Sequence, residues 1–170
     1  MEKKTTAVYP GSFDPVTLGH LNIMERSARL FDRLVIGVGV NTEKKPWFSP
    51  EERAELIRES AAGIPNVTVE IYEGLTVSFV QKKGAKIMIR GVRPITDIPA
   101  ELTMMMANRR LAPDVETLFL IADGELAHVS SSLIKEIASA ADRNILQSFL
   151  SPPVIDAVLG KVRGNSPNRF

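Results

Sequence analysis

The chain has 170 residues, of which 44% are hydrophobic and 24% are charged, and it contains no cysteine. This length and composition predict one soluble globular domain over residues 1–170, and they exclude disulfide frameworks, thiolate metal sites and cysteine nucleophiles. Lysine and arginine number 21 against 20 aspartates and glutamates. The resulting net charge of +1 argues against a dedicated nucleic-acid-binding protein.

Membrane and export signals are missing from the sequence pattern. No apolar run approaches the roughly 20 residues of a membrane span. The polar start, Met1–Thr6, is followed by only three apolar residues, whereas a secretory signal needs about 7–15 of them. We therefore expect a cytoplasmic protein with no membrane partner.

Short apolar runs rich in β-branched residues alternate with helical patterns along the chain. The runs predict strands at 7–9, 34–38, 67–71, 87–89 and 118–121. Between and after them, apolar spacing and capping signals predict helices at 18–31, 49–62, 76–83, 99–111, 131–141 and 152–160, with a flexible tail over about 163–170. The alternation predicts an α/β fold with a doubly wound, five-stranded parallel sheet and C-terminal helices.

Small, basic and hydroxyl residues follow the predicted strands. They are the segments 10–15, 44–45, 90–93 and 129–132. Because open parallel sheets bind ligands beyond the carboxyl ends of their strands, these segments predict a polyphosphate site. Each also has a simpler interpretation: a turn at Pro10-Gly11, surface lysines at 44–45, and helix caps at Ser130 or Ser131.

Two motifs carry a resemblance to a known family. The segments Gly11–Pro15 and Thr17-x-Gly19-His20 resemble the first signature of the nucleotidylyltransferase superfamily, and Val129–Ser132 is similar to the second. Together with the blocks at 44–46, 89–93 and 108–109, the chain resembles the bacterial phosphopantetheine adenylyltransferase family over about residues 7–157. The resemblance implies a Rossmann-like fold.

The resemblance also implies a reaction. The phosphate of 4′-phosphopantetheine attacks the α-phosphorus of ATP in line, without a covalent intermediate, to give dephospho-coenzyme A and pyrophosphate. Mg²⁺ is expected to bind mainly through the ATP phosphates, so no metal-binding residue is predicted. Coenzyme A as a feedback ligand and a homohexamer are further implications of the family.

Residue roles follow from the same resemblance. It implies that His20, Lys44 and Arg90 are catalytic. The implied acceptor-binding residues are Ser12, Lys44, Thr76, Arg90 and Asn108. The implied nucleotide-binding residues are Ser12, Phe13, His20, Gly91, Val92, Arg93, Glu101, Leu126, Val129, Ser130, Ser131 and Ser132. The chain departs from the family pattern in the stretch Asp97–Glu101 and at Leu126, where the family has aromatic residues.

Two other functions are compatible with the motifs. The first is a nucleotidylyltransferase that uses a different phosphorylated acceptor. The second is a non-catalytic nucleotide-binding regulator, which degraded motifs would favour, but His20, Lys44, Arg90 and the serine triplet are all present.

Overall fold

The computed structural model describes residues 5–40, 46–92 and 98–164. Its strands form one parallel sheet in the order β3-β2-β1-β4-β5. The strands are β1 (Thr6–Gly11), β2 (Arg33–Gly39), β3 (Val67–Tyr72), β4 (Ile87–Val92) and β5 (Glu116–Ile121). The predicted five-stranded α/β fold is therefore confirmed.

Seven α-helices accompany the sheet in the described part of the chain. They are α1 (Leu18–Ala28), α2 (Pro50–Ser60), α3 (Thr76–Lys82), α4 (Ile98–Leu111), α5 (Ser131–Ile137), α6 (Arg143–Leu146) and α7 (Pro152–Gly164). A single 3₁₀ turn, Gly124–Leu126, lies between β5 and α5. None of these helices is long and apolar enough to cross a bilayer.

Local signals explain where several helices begin and end. At α2, the Glu52 N–H donates to Ser49 Oγ at 3.1 Å, and the Ser49 N–H donates to Glu52 Oε2 at 2.6 Å. This is the predicted capping box. Beyond α3, Gly84 adopts a positive φ of 64°, the left-handed conformation expected of a glycine at a helix end.

The helical boundaries differ from the predictions at the C-terminal side. The predicted helix 131–141 ends at Ile137, and the unpredicted α6 follows because Asp142 Oδ1 accepts a hydrogen bond from the Ile145 N–H at 2.9 Å. Helix α2 ends at Ser60 and α7 continues to Gly164. The first two residues of the predicted tail are thus helical, and residues 165–170 lie outside the described residues.

Strand β4 is longer than the predicted run at 87–89. It continues to Val92 because Arg90, Gly91 and Val92 remain in register with residues 119–121 of β5. Residues 90–92 of the segment 90–93, which we predicted to follow the strand, therefore form its last three residues. Its side chains consequently alternate between the two faces of the sheet.

The sheet is covered on both faces. On one face, Val8, Val35 and Met88 pack with apolar residues of α3. On the other face, Leu34, Ile36 and Ile89 pack in a second cluster to which α1, α2, α5, α6 and α7 contribute. Burial of alternate residues on opposite faces explains why the strand sequences are almost continuously apolar.

Strand β1 lies at the centre of the sheet. It pairs with β2 on one side and with β4 on the other, although β4 is far along the chain. From β1 the chain adds β2 and β3 towards one edge of the sheet, and it then adds β4 and β5 on the other side of β1. The carboxyl ends of β1 and β4 therefore form a topological switch point. Open α/β sheets bind ligands at this point.

Candidate active site

A crevice of about 250 Å³ opens beyond the carboxyl ends of β1 and β4. Apart from Phe13 and Glu101, every predicted nucleotide-binding residue that the structure describes lines this crevice. These lining residues are Ser12, His20, Gly91, Val92, Leu126, Val129, Ser130, Ser131 and Ser132. The structure therefore brings together the two motifs, which are more than 100 residues apart in the sequence.

Two glycines permit the close packing around the crevice. A Cβ at Gly91 would lie 2.9 Å from Tyr9 Oη, too close for any larger residue without movement of that ring. A Cβ at Gly19 would lie 3.3 Å from the Leu126 carbonyl oxygen and 3.4 Å from that of Val129. The start of α1 can thus approach the segment between β5 and α5 because residue 19 is a glycine.

His20 is oriented by the start of its own helix. The Thr17 N–H donates to His20 Nδ1 at 3.1 Å, and Thr17 Oγ1 lies 2.9 Å from the same nitrogen. Since Nδ1 accepts from a backbone N–H, the neutral imidazole carries its proton on Nε2, which makes Nε2 a hydrogen-bond donor. The prediction that His20 faces a site is compatible with this arrangement, and His20 also caps α1.

Phe13 supports His20 from beneath the crevice. The Phe13 ring is buried and makes edge-to-face contacts with the Tyr9 and His20 rings, at centroid distances of 5.3 and 5.2 Å. Its φ of 48° is in the left-handed region, which is strained for a residue with a bulky side chain. Phe13 therefore orders the loop between β1 and α1 and does not line the crevice.

The serine triplet begins α5 on the opposite wall. Ser130 is the N-cap, and its Oγ accepts a hydrogen bond from the Leu133 N–H at 3.1 Å. Ser131 Oγ donates to the Pro15 carbonyl oxygen at 2.8 Å, which ties α5 to the loop before α1. The prediction that Ser130 or Ser131 caps the helix is confirmed, and Ser132 is exposed.

Arg90 and Glu101 form a half-buried ion pair beside the crevice. Arg90 Nε donates to Glu101 Oε2 at 2.8 Å and Arg90 Nη2 donates to Glu101 Oε1 at 2.6 Å, while Nη1 donates to the Pro10 carbonyl oxygen at 3.2 Å. Burial lowers the pKa of Arg90, but the hydrogen bonds and the charge of Glu101 outweigh this effect, so the pKa is raised overall. Arg90 therefore has the partner that its partly buried position requires.

Two other predicted acceptor-binding residues, Thr76 and Asn108, lie on α3 and α4 and do not line the crevice. Thr76 begins α3, and its Oγ1 is 3.0 Å from Tyr72 Oη. Asn108 is half-buried on α4, on the same stripe as Glu101 and Met105. Lys44 and Arg93 lie outside the described residues, so the structure gives no position for them.

Two buried charged residues near the site were missed by the sequence analysis. The Asp14 carboxylate accepts hydrogen bonds from the backbone of Trp47 and Phe48 and pairs with Lys135. The Arg53 guanidinium donates to the carbonyl oxygens of Ser12 at 2.6 Å and Gly39 at 3.1 Å. The burial of Arg53 could have been predicted from the sequence, because it lies on the same apolar stripe of α2 as Ala54, Leu56 and Ile57.

Burial shifts the pKa of two groups near the crevice without changing their protonation at physiological pH. It raises the pKa of Tyr9 well above its usual range, with Arg90 opposing and Glu101 assisting the change. Tyr9 is therefore a neutral phenol at any physiological pH. Burial also lowers the pKa of Arg53, but Asp14 and Glu51 oppose this change and the guanidinium stays charged.

The family comparison defines the class of protein. The cytidylyltransferase-like family model matches residues 8–137, which include most of β1, the residues that line the crevice, and α5. Among solved structures, the chain is similar to the Plasmodium falciparum nicotinic acid mononucleotide adenylyltransferase, with a TM-score of 0.71 and 12% identity over 93% of this chain and 96% of the other. At that identity the similarity concerns the fold, which is that of a nucleotidylyltransferase.

Closer relatives give the particular family. The chain is 53% identical to a phosphopantetheine adenylyltransferase from Rhodopirellula baltica, covering 94% of this chain and 90% of the relative. It is 43% identical to that of Heliobacterium modesticaldum, covering 97% and 99% of the two chains. The chain belongs to the phosphopantetheine adenylyltransferase family, as its motifs predicted.

Proposed function

We propose that the protein transfers the adenylyl group of ATP reversibly to 4′-phosphopantetheine, a step of coenzyme A biosynthesis. The products are dephospho-coenzyme A and pyrophosphate. The observation that carries the proposal is the convergence of both nucleotidylyltransferase motifs on one crevice at the switch point of the sheet. The names of the relatives support the choice of acceptor.

Alignment and charge stabilisation are sufficient for this chemistry. The acceptor phosphate is already a nucleophile, so the reaction needs no activated side chain and no covalent intermediate. His20 Nε2 would donate to the α-phosphate as charge develops there, and its orientation by Thr17 and Phe13 means that no reorganisation accompanies the reaction. The Ser12 hydroxyl and the Ser130–Ser132 segment would bind the remaining ATP phosphate oxygens from opposite walls of the crevice.

The acceptor would approach from the Arg90 side. Of the five N–H groups of a guanidinium, Glu101 and Pro10 engage three, which leaves Arg90 able to donate to a phosphate while it is held in place. Thr76 and Asn108 would bind the pantetheine arm. Lys44 and Arg93 would also bind phosphate. Because both lie outside the described residues, this part of the proposal rests on the sequence resemblance alone.

Magnesium would be carried by the nucleotide. The described residues contain no group of three His, Asp or Glu side chains that could hold a metal ion. We assign Mg²⁺ to the ATP phosphates, where it neutralises charge.

Self-association is supported by the surface of α4 and β5. Helix α4 buries none of its described residues, and it exposes the apolar side chains of Ile98, Leu102, Met104, Met106 and Leu111. Leu118 and Ile121 are exposed on the neighbouring edge strand. Such an apolar surface is typical of an interface between subunits, and we propose that it contributes to a homohexamer. The family resemblance is the basis for two further parts of the proposal: the protein acts in the cytoplasm, and coenzyme A binds to it as a feedback ligand.

Pyrophosphate release in the presence of ATP and 4′-phosphopantetheine tests the activity. We expect release that depends on both substrates, and formation of dephospho-coenzyme A in equal amount. Replacement of the acceptor by nicotinamide mononucleotide or glycerol 3-phosphate should abolish it. Release with one of those acceptors instead would establish a different nucleotidylyltransferase, and no release with any acceptor would favour a nucleotide-binding regulator.

A further inference from the structure

Asp14 is a buried carboxylate to which the two motifs assign no role. It lies in the loop between β1 and α1 with only 6% of its surface exposed. Only four polar or charged residues in the described part of the chain are buried: Asp14, Thr17, Ser27 and Arg53. A buried charge is costly unless it is paired and hydrogen-bonded, so its partners indicate what it is for.

The partners of Asp14 come from two distant segments. Asp14 Oδ2 accepts from the Trp47 N–H and Oδ1 from the Phe48 N–H, both at 2.9 Å. The Lys135 ammonium of α5 forms an ion pair with the same carboxylate and lies 5.8 Å from the centre of the Trp47 ring. One side chain thus joins the Ser12 loop, the residues before α2, and α5.

Helix α5 is attached to the loop at two points. Lys135 contacts Asp14, and Ser131, about one helical turn earlier, donates to the Pro15 carbonyl oxygen at 2.8 Å. Two contacts along the axis fix both the distance and the tilt of α5 relative to the loop. The walls that these elements form carry Ser12 and His20 on one side and the serine triplet on the other.

We propose that Asp14 is a positioning residue that sets the separation of the two phosphate-binding walls through Lys135. The proposal rests on the proposed function. Asp14 does not line the crevice, so it acts through the groups that it holds. Since reacting atoms must lie about 3–3.5 Å apart, a displacement of about 1 Å can reduce the rate roughly 100-fold, and loss of the contact should appear in turnover more than in affinity.

Three variants test this role: Asp14→Asn, Lys135→Met and the double variant. Asn keeps the volume and can still accept a backbone hydrogen bond, but it removes the charge. We expect each single variant to lower kcat about tenfold or more while KM for ATP changes less than about threefold. The double variant should be no slower than Asp14→Asn, because both changes remove the same contact.

Lys161→Met is a matched control. Lys161 also projects from a helix, pairs with the Glu52 carboxylate at 3.7 Å and lies 5.1 Å from the centre of an aromatic ring, that of Phe48. It does not line the crevice. We expect parental kcat and a smaller loss of melting temperature than in Lys135→Met, because the Glu52 carboxylate that loses its partner is exposed whereas Asp14 is buried.

The outcomes separate the two proposals. An inactive parent protein would overturn the proposed function and this role with it. An active parent protein with unchanged kcat per folded molecule in Asp14→Asn and Lys135→Met would overturn the positioning role alone. The positioning role would also be overturned if the double variant lost as much activation free energy as the two single variants together. If Asp14→Asn does not fold, Lys135→Met decides, because its side chain is 32% exposed and its removal leaves the backbone bonds to Asp14 intact.

Discussion

The carboxylate of Glu101 holds the guanidinium of Arg90 by two hydrogen bonds to different nitrogen atoms, Nε and Nη2, at 2.8 and 2.6 Å. A third bond, from Nη1 to the Pro10 carbonyl oxygen, connects the same group to the end of β1. These contacts fix the plane of the guanidinium. In the proposed function Arg90 is therefore preorganised for the acceptor phosphate, and we propose that Glu101 supports Arg90 there, whereas the family resemblance implied a nucleotide contact for it.

Arg90→Lys should separate acceptor binding from nucleotide binding. A lysine is a point charge that cannot make both bonds to Glu101 or a bidentate contact with a phosphate. We expect the dissociation constant of 4′-phosphopantetheine to rise about tenfold or more, equivalent to about 1.4 kcal/mol, and that of ATP to change less than about threefold. Isothermal titration with each ligand measures both. The same substitution at exposed Arg58, which pairs with Glu55, is the control, and equal losses for the two ligands would contradict an acceptor-specific role.

His20→Ala should reduce turnover without abolishing ATP binding. An interaction that strengthens only as charge develops contributes to kcat and not to ground-state affinity. We expect kcat to fall by at least about 100-fold, as for the loss of one preorganised donor, and ATP affinity to remain within a few-fold. Because the side chain also accepts the Thr17 N–H, the free energy of unfolding should fall by about 0.5–2 kcal/mol.

Thr17→Val controls for that capping contribution. It removes Thr17 Oγ1, which accepts from the His20 N–H, but retains the imidazole and the backbone N–H that orients it. We expect a comparable loss of stability with kcat within about tenfold of the parent. A His20→Ala protein that turns over as fast as Thr17→Val would show that His20 is only a helix cap.

Dephospho-coenzyme A should stabilise the folded protein. A ligand that binds only the folded state adds about 2.7 kcal/mol at a concentration 100-fold above its dissociation constant. The melting temperature should rise with dephospho-coenzyme A and with ATP, but not with nicotinamide mononucleotide. Ser132→Asp, which adds a negative charge at the exposed edge of the crevice, should reduce the rise with ATP. No rise at millimolar dephospho-coenzyme A would contradict the assignment of the crevice.

Met106→Glu should weaken self-association. Met106 is 63% exposed on α4, so a glutamate there is harmless to a monomer but unfavourable in an apolar interface. Sedimentation velocity should detect a shift from the proposed hexamer to smaller species at micromolar concentration. Leu30→Glu, at a position that is 62% exposed just beyond α1, should leave the mass unchanged. An unchanged mass for Met106→Glu would exclude this surface as an essential interface.

The strands, and the meeting of the motif residues at one crevice, could be predicted because their signals are local. Buried parallel strands are apolar throughout, and the motif residues lie beside the strand ends that position them. The connection between Asp14 and Lys135 could not be predicted, because the two residues are 121 positions apart and their meeting depends on how α5 packs. Helix α6 has four residues, too few for an apolar period, and its cap at Asp142 is the only local signal.

The position of β1 within the sheet determines which part of the protein should open last. A strand bonded on both sides loses its backbone hydrogen bonds only after a neighbour has detached, whereas β3 and β5 are edges. The amides of Val8 and Tyr9 should accordingly exchange with deuterium more slowly than those of Thr68 or Leu118. Local opening at either edge of the sheet would then leave the Ser12 loop anchored, so the wall of the crevice that carries Ser12 should stay in place when an edge strand detaches.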